Sequence, residues 1–219
     1  MSKSLDEPSC VNPLAFLISL MRAPLVTLAL LGAAVCADAA SLTVTVVDNA
    51  GKPLPDAVVM LEPTGSKLPV KPMAAVDVSQ SKRRFVPQVT VVTVGTPVNF
   101  PNFDTVRHQV YSFSPIKTFE LKLYAGVPNA PIVFDKPGTA VLGCNIHDQM
   151  AAWIVVVDTP FHASTAADGQ VRLDNVPTGS YRLRAWHAGV PAGKEPAAET
   201  LNLAGTDTSA QIKLPASLL

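Results

Sequence analysis

The chain reads as an all-β protein built as a sandwich. Short runs of alternating apolar and polar residues recur along it, which is the period of a half-buried strand. They are separated by turn signals, with 20 prolines and 12 glycines among 219 residues. No segment beyond residue 40 carries a helical period. Hydrophobic residues make up 48% and charged ones 16%, enough apolar material to bury a core.

Taken in order, 42–47 alternates, Asp48-Asn-Ala-Gly51 turns, and 57–61 runs back. That predicts a hairpin. Residues 63–72 are rich in Pro, Gly and Lys and read as a linker. Residues 89–94 read as a strand, Gly95-Thr-Pro97 as a turn, and 98–100 as the next short run. The runs 108–113 and 119–123 alternate; 132–134 is apolar and precedes the turn Asp135-Lys-Pro-Gly138. Residues 139–143 and the continuous apolar run 153–157 follow. The last third repeats the theme with 169–173, the turn Val176-Pro-Thr-Gly179, 181–186 and 209–214. Residues 190–198, rich in Pro and Ala, read as an exposed loop.

The N-terminus reads as an export signal. Arg22 precedes an apolar run over 25–31, then small residues and Ala37-Asp38-Ala39. That is the charged, apolar and A-x-A order of a secretory leader. The predicted leader is 1–39, with Met21 a plausible true start. An uncleaved anchor is the alternative, since 13–36 is apolar enough to cross a bilayer. Arg22, Pro24 and the A-x-A site favour cleavage, leaving no membrane segment and a periplasmic protein.

Lys plus Arg equals Asp plus Glu at 17 each; taking away Lys3, Arg22, Asp6, Glu7 and Asp38 leaves 15 and 14. This balance gives no reason to expect nucleic acid or anionic lipid as a partner. The run Lys82-Arg83-Arg84 reads as a solvated strand start. Cys10 and Cys36 would leave with the leader, so Cys144 is a lone cysteine in an oxidising compartment. It is a buried bystander, an intermolecular bridge or a ligand.

Cys144-Asn-Ile-His147-Asp-Gln-Met150 puts a thiol, an imidazole and a thioether within one short segment. His108 lies upstream at the head of an alternating run. Taken singly, each has an ordinary structural reading: small hydrophobe, surface imidazole, core methionine. Together they form the ligand set of a blue-copper electron-transfer site. Soft sulfur favours Cu(I) and imidazole suits Cu(II). His108, Cys144 and His147 would form the strong trigonal set and Met150 the weak axial contact. Zinc more often takes further cysteines and gains little from a thioether. Covalent haem needs Cys-x-x-Cys-His, which is absent. A Cys–His nucleophile would leave Met150 unexplained. His162 and His187 read as surface or junction residues, Tyr124 and Trp153 as packing aromatics.

On these motifs residues 80–158 resemble a cupredoxin of the plastocyanin–amicyanin group. The Cys-x-x-His-x-x-Met spacing is similar to the short ligand loop of amicyanin. The resemblance implies that Asn102, near the first histidine, hydrogen-bonds across to the ligand loop. It also implies that His147 reaches the surface through apolar residues as the electron's exit. The string Gly-Cys-Asn-Ile-His-Asp-Gln-Met with a trailing domain is similar to exported methylamine utilization proteins. The flanks, Val-Asp48-Asn-Ala-Gly51-Lys-Pro53 and Val176-Pro-Thr-Gly179-Ser-Tyr181, resemble a carboxypeptidase-regulatory-like, transthyretin-like sandwich. The implied fold is a Greek-key cupredoxin β-sandwich inserted in or joined to a second small β-sandwich. The implied domains are 66–159 for copper, and 40–65 with 160–219 for the flanking module.

The expected function is a non-enzymatic, one-electron carrier holding one type 1 copper. It would exchange electrons transiently with redox proteins such as a dehydrogenase and a cytochrome. The alternative is a copper-binding module for delivery, sensing or assembly without electron transfer. No Met- or His-rich tract supports delivery. Four histidines are too few for a trinuclear oxidase cluster.

Overall fold

The computed structural model describes residues 39–65, 67–191 and 197–216. Apart from Ala39, the expected leader, with Met21, Cys10 and Cys36, lies outside the described residues. Those residues fall within one compact unit, Cys36–Leu219. They form seventeen strands and no helix. In chain order these are β1 (Ala39–Asp48), β2 (Val58–Pro63), β3 (Val76–Asp77), β4 (Ser79–Ser81), β5 (Arg84–Val86) and β6 (Val89–Thr93). Then come β7 (Thr96–Asn99), β8 (His108–Ser114), β9 (Lys117–Tyr124), β10 (Ile132–Phe134), β11 (Gly138–Gly143) and β12 (Ala151–Val157). The chain finishes with β13 (Phe161–Ser164), β14 (Gln170–Pro177), β15 (Gly179–Trp186), β16 (Ala197–Leu203) and β17 (Thr208–Leu214).

Two sheets draw on both ends of the described chain. One has the order β14-β1-β17, the other β13-β2-β15-β16. The alternation in β1 is the cause: Leu42, Val44 and Val46 are fully buried, while Thr43 and Thr45 are not. They meet Val59, Leu61, Leu183, Ala185, Ile212 and Leu214 in one core. The middle of the chain builds the other core. The sheets β10-β7-β3 and β6-β12-β11-β8-β9 enclose Val92, Val98, Phe100, Val110, Phe134, Leu142 and Ile154.

Strand β12 explains its unbroken apolar sequence. Ala152, Ile154 and Val156 face the middle core, while Val155 and Val157 meet Val58 and Met60 in a third, small cluster with Trp186. A strand buried on both faces needs no polar alternation. Trp153 packs beside Trp186 with centroids 6.5 Å apart, as a packing aromatic should.

The structure corrects several expectations. β1 and β2 are not a hairpin: β1 pairs with β14 and β17, β2 with β13 and β15. The turn at 48–51 does form, with Asp48 Oδ1 accepting the N–H groups of Ala50 and Lys52. The pairing with β1 runs on through Val47↔Pro53 and the Leu54 N–H to the Val46 carbonyl; Pro55 has no N–H to extend it, and the chain crosses to the opposite sheet. The run Lys82-Arg83-Arg84 is no plain strand start, because Lys82 and Arg83 form the tip of the β4–β5 hairpin. Ala197 and Ala198, expected in a loop, open the edge strand β16.

Candidate metal centre

Two stretches of backbone carry the donors. His108 opens β8 directly after the irregular segment 101–107. Cys144 to Met150 is the link between β11 and β12, closed at its base by the pair Gly143↔Ala151. β11 joins β8 through Gly143↔Tyr111, so the loop is carried to the strand that His108 begins. At Gly143 the Tyr111 ring packs against the backbone. A Cβ there would stand 2.5 Å from Tyr111 Cζ.

His108 Nδ1 lies 3.8 Å from Cys144 Sγ. One donor atom each from His108, Cys144 and His147 lies within 4.8 Å of the other two. The two imidazole rings are 5.0 Å apart between centroids and inclined at 57°. Two metal bonds of about 2.0–2.3 Å, opened to a trigonal angle, put their donors about 3.5–4.0 Å apart. The His108–Cys144 separation matches that span. His108, Cys144 and Met150 are buried and His147 half-buried. Met150 sits in the same apolar cluster as Cys144, and its N–H donates to the His147 carbonyl, folding the loop back.

His147 Nδ1 is buried and has no hydrogen-bond partner among the described residues. A buried nitrogen left so is disfavoured unless something occupies its lone pair. The donor set, its spacing and this orphaned atom together fit a copper ion held by His108, Cys144 and His147.

Asp104 escaped the sequence reading. Its Oδ2 lies 2.8 Å from His108 Nε2. A carboxylate only accepts, so Nε2 carries the proton; in the neutral ring Nδ1 then presents its lone pair toward Cys144. Asp104 Oδ1 accepts the Lys82 N–H at 2.6 Å and Oδ2 the Arg83 N–H at 2.9 Å. Burial acts to raise this carboxyl, but the Arg83 N–H, the His108 ring and the Lys82 N–H outweigh it and hold it below its ordinary value. The local signal was an acid four residues before a candidate ligand.

Asn102 is buried, but none of its side-chain hydrogen bonds among the described residues reaches the 144–150 loop. Its Nδ2 donates to the carbonyls of Val106 and Tyr124, and its Oδ1 accepts the Asp104 N–H at 2.9 Å. The expected cross-loop bond is therefore replaced by one that fixes Asp104. Tyr124 is more than packing: its hydroxyl donates to the Phe100 carbonyl at 2.7 Å. His162 and His187 lie apart from the cluster. Neither is a surface residue: His162 is half-buried in β13, and buried His187 accepts the Gly189 N–H on Nδ1 at 3.0 Å. Burial lowers the pKa of both.

No family model matches the chain, and no curated protein does. Among solved structures, it is similar to a reduced Cu(I) form of an amicyanin mutant, with TM-score 0.35, 19% identity, and coverage of 45% of this chain and 98% of that one. It is similar to a purple cupredoxin from Nitrosopumilus maritimus at TM-score 0.34 and 20% identity, covering 39% of this chain and 100% of that one. A third is the Cu-containing nitrite reductase of Thermus scotoductus SA-01, at TM-score 0.36 and 26% identity, over 52% of this chain and 28% of that one. The first and third are described as copper-bound or copper-containing. Overall likeness at this level carries no weight for function, which rests on the side chains above.

Proposed function

We propose that this chain is an exported type 1 copper protein that carries single electrons between periplasmic redox partners. In this reading residues 66–159 are a cupredoxin domain, set between two parts of a second sandwich, 40–65 and 160–219. His108, Cys144 and His147 hold the ion in a trigonal set and Met150 gives a weak axial contact. Copper supplies the one-electron couple.

The observation that carries the reading is the approach of His108 Nδ1 to Cys144 Sγ at 3.8 Å, with a ring nitrogen of His147 grouped with them within 4.8 Å and its Nδ1 buried without a partner among the described residues. The chain's own contribution is rigidity. β8 and the β11–β12 pair fix the two backbone stretches, so the donors are assembled before the metal arrives. Burial of His108 and Cys144 keeps water from the thiol. A centre that rearranges little between oxidation states exchanges electrons readily. His147 is the half-buried member, next to Ile146, which is 48% exposed, and offers an edge for a transient partner. Delivery proteins need an open site, and a donor set this enclosed argues against that role.

The test is the visible and electron-spin spectrum of the protein loaded with one equivalent of Cu(II). The reading expects an intense thiolate-to-copper charge-transfer band, reversible one-electron reduction, and loss of the band in Cys144→Ser. A colourless copper-loaded wild type overturns it.

A further inference from the structure

Strand β4 hydrogen-bonds through its backbone to the segment 101–107, and the tip of the β4–β5 hairpin closes on the Asp104 side chain. Ser81 pairs with Arg84, leaving Lys82 and Arg83 as a two-residue turn, with φ of 53° and 56°. Both values lie in the left-handed region, as the turn type that suits a two-residue hairpin requires. That position normally goes to Asn or Gly, and here it holds two long side chains. The turn's two N–H groups point at one carboxylate, that of Asp104. Its Oδ2 also takes His108 Nε2 at 2.8 Å. Two oxygens therefore accept three N–H groups. The Asn102 amide oxygen accepts the backbone N–H of the same residue.

We infer that Asp104, clasped by the tip of the β4–β5 hairpin, is a positioning residue that locks the His108 ring with Nδ1 toward the metal and biases bound copper toward its oxidised form. The inference rests on the copper reading above. A carboxylate behind a ligating imidazole fixes the tautomer and ring angle and raises the basicity of the ligating nitrogen. A more basic nitrogen, with a negative charge behind it, favours the ion of higher charge. The hairpin's part is to hold the carboxylate immobile behind the ring, since both turn N–H groups bond it.

Asp104→Asn is the informative change. It keeps the size and removes the charge. An amide has only one acceptor oxygen, so at least one of the three N–H groups then faces an NH₂ group. The expected result is a blue, one-copper protein whose ratio of Cu(II) to Cu(I) affinity falls about tenfold, a rise in potential of about 59 mV for one electron. A shift corresponding to less than about twofold overturns the redox half of the inference; a purely structural tie would not move the potential in this direction. The second measurement needs no variant. Nitrogen-15 spectra of the metal-free and Cu(I)-loaded wild type should show His108 protonated on Nε2, with that proton protected from solvent. A His108 ring protonated on Nδ1 instead overturns the positioning half. If wild type shows no charge-transfer band, the copper reading falls and the redox half with it, while the nitrogen-15 result still decides the positioning.

Discussion

Replacing His147 by Phe should change the sign of its effect on stability according to whether copper is bound. Nδ1 of His147 is buried without a partner among the described residues. Leaving such a group unsatisfied costs about 1–3 kcal/mol, and an apolar group of similar shape removes that cost. The ring sits 5.0 Å from His108, in a setting that accepts an aromatic side chain. Metal-free His147→Phe is thus expected to match or exceed wild type by up to about 2 kcal/mol. For a chain of 150–250 residues that is a rise in Tm of up to about 4–8 °C. With free copper at a hundred times its Kd, binding stabilises wild type by about 2.7 kcal/mol, or about 5–11 °C. The variant, short of one strong donor, gains only a small part of this. Calorimetry with chelator, and then with Cu(I) under reducing conditions, should give melting temperatures that cross. A variant less stable by the same margin in both conditions would refute the reasoning, because His147 would then be an ordinary packing residue.

Thr165 Oγ1 donates to the Leu54 carbonyl at 2.7 Å and accepts the Ala57 N–H at 3.0 Å, where the chain crosses between sheets. Thr165→Val leaves both unpaired and should lower stability by about 2–4 kcal/mol in urea unfolding; an unchanged midpoint counts against this account of the crossing. Gly143→Ala should destabilise by about 1–3 kcal/mol, because its Cβ would fall 2.5 Å from Tyr111 Cζ. Adding Tyr111→Ala should remove most of that penalty, whereas additive effects would contradict the contact. The Tyr124 phenol is pushed up to about 12, by burial first; the Gln80 amide pulls the other way and the nearby Cys144 sulfur adds to the rise. An unfolded tyrosine ionises near pH 10, so the stability this phenol contributes is whole below about pH 10 and is lost as pH climbs through about 12. Burial also raises Tyr181, so ultraviolet titration of the 3 tyrosines should show more than one late step, and Tyr124→Phe should remove the latest.

The strands that bury one face were legible, because alternation at period two states both the conformation and the inner side; β1 and β8 are examples. What stayed hidden was pairing. The turn at 48–51 starts an antiparallel pairing that ends at Leu54, after which Pro55 sends the chain across the sandwich, and β1 finds a distant parallel neighbour in β17. The short strands β3, β4 and β5 hold two or three residues each, too few for a period to register. Strand β16 lies at a sheet edge with four of its seven residues exposed, so its sequence keeps little apolar alternation.

At the centre, the grouping of Cys144, His147 and Met150 was readable because all three sit on one loop, where spacing is local information. The approach of His108 needed the β8–β11 pairing, which rests on the single register pair Gly143↔Tyr111. Asp104 was not readable, since its role depends on the hairpin tip that holds it. Asn102 was singled out for a bond to the wrong partner: its amide braces Asp104.

Copper-edge X-ray absorption of the loaded protein tests the assembly at 108, 144 and 147 most directly. The account predicts a first shell of one short sulfur and two imidazole nitrogens, with the sulfur lost in Cys144→Ser. A shell of nitrogen and oxygen alone, identical in the two proteins, would contradict it.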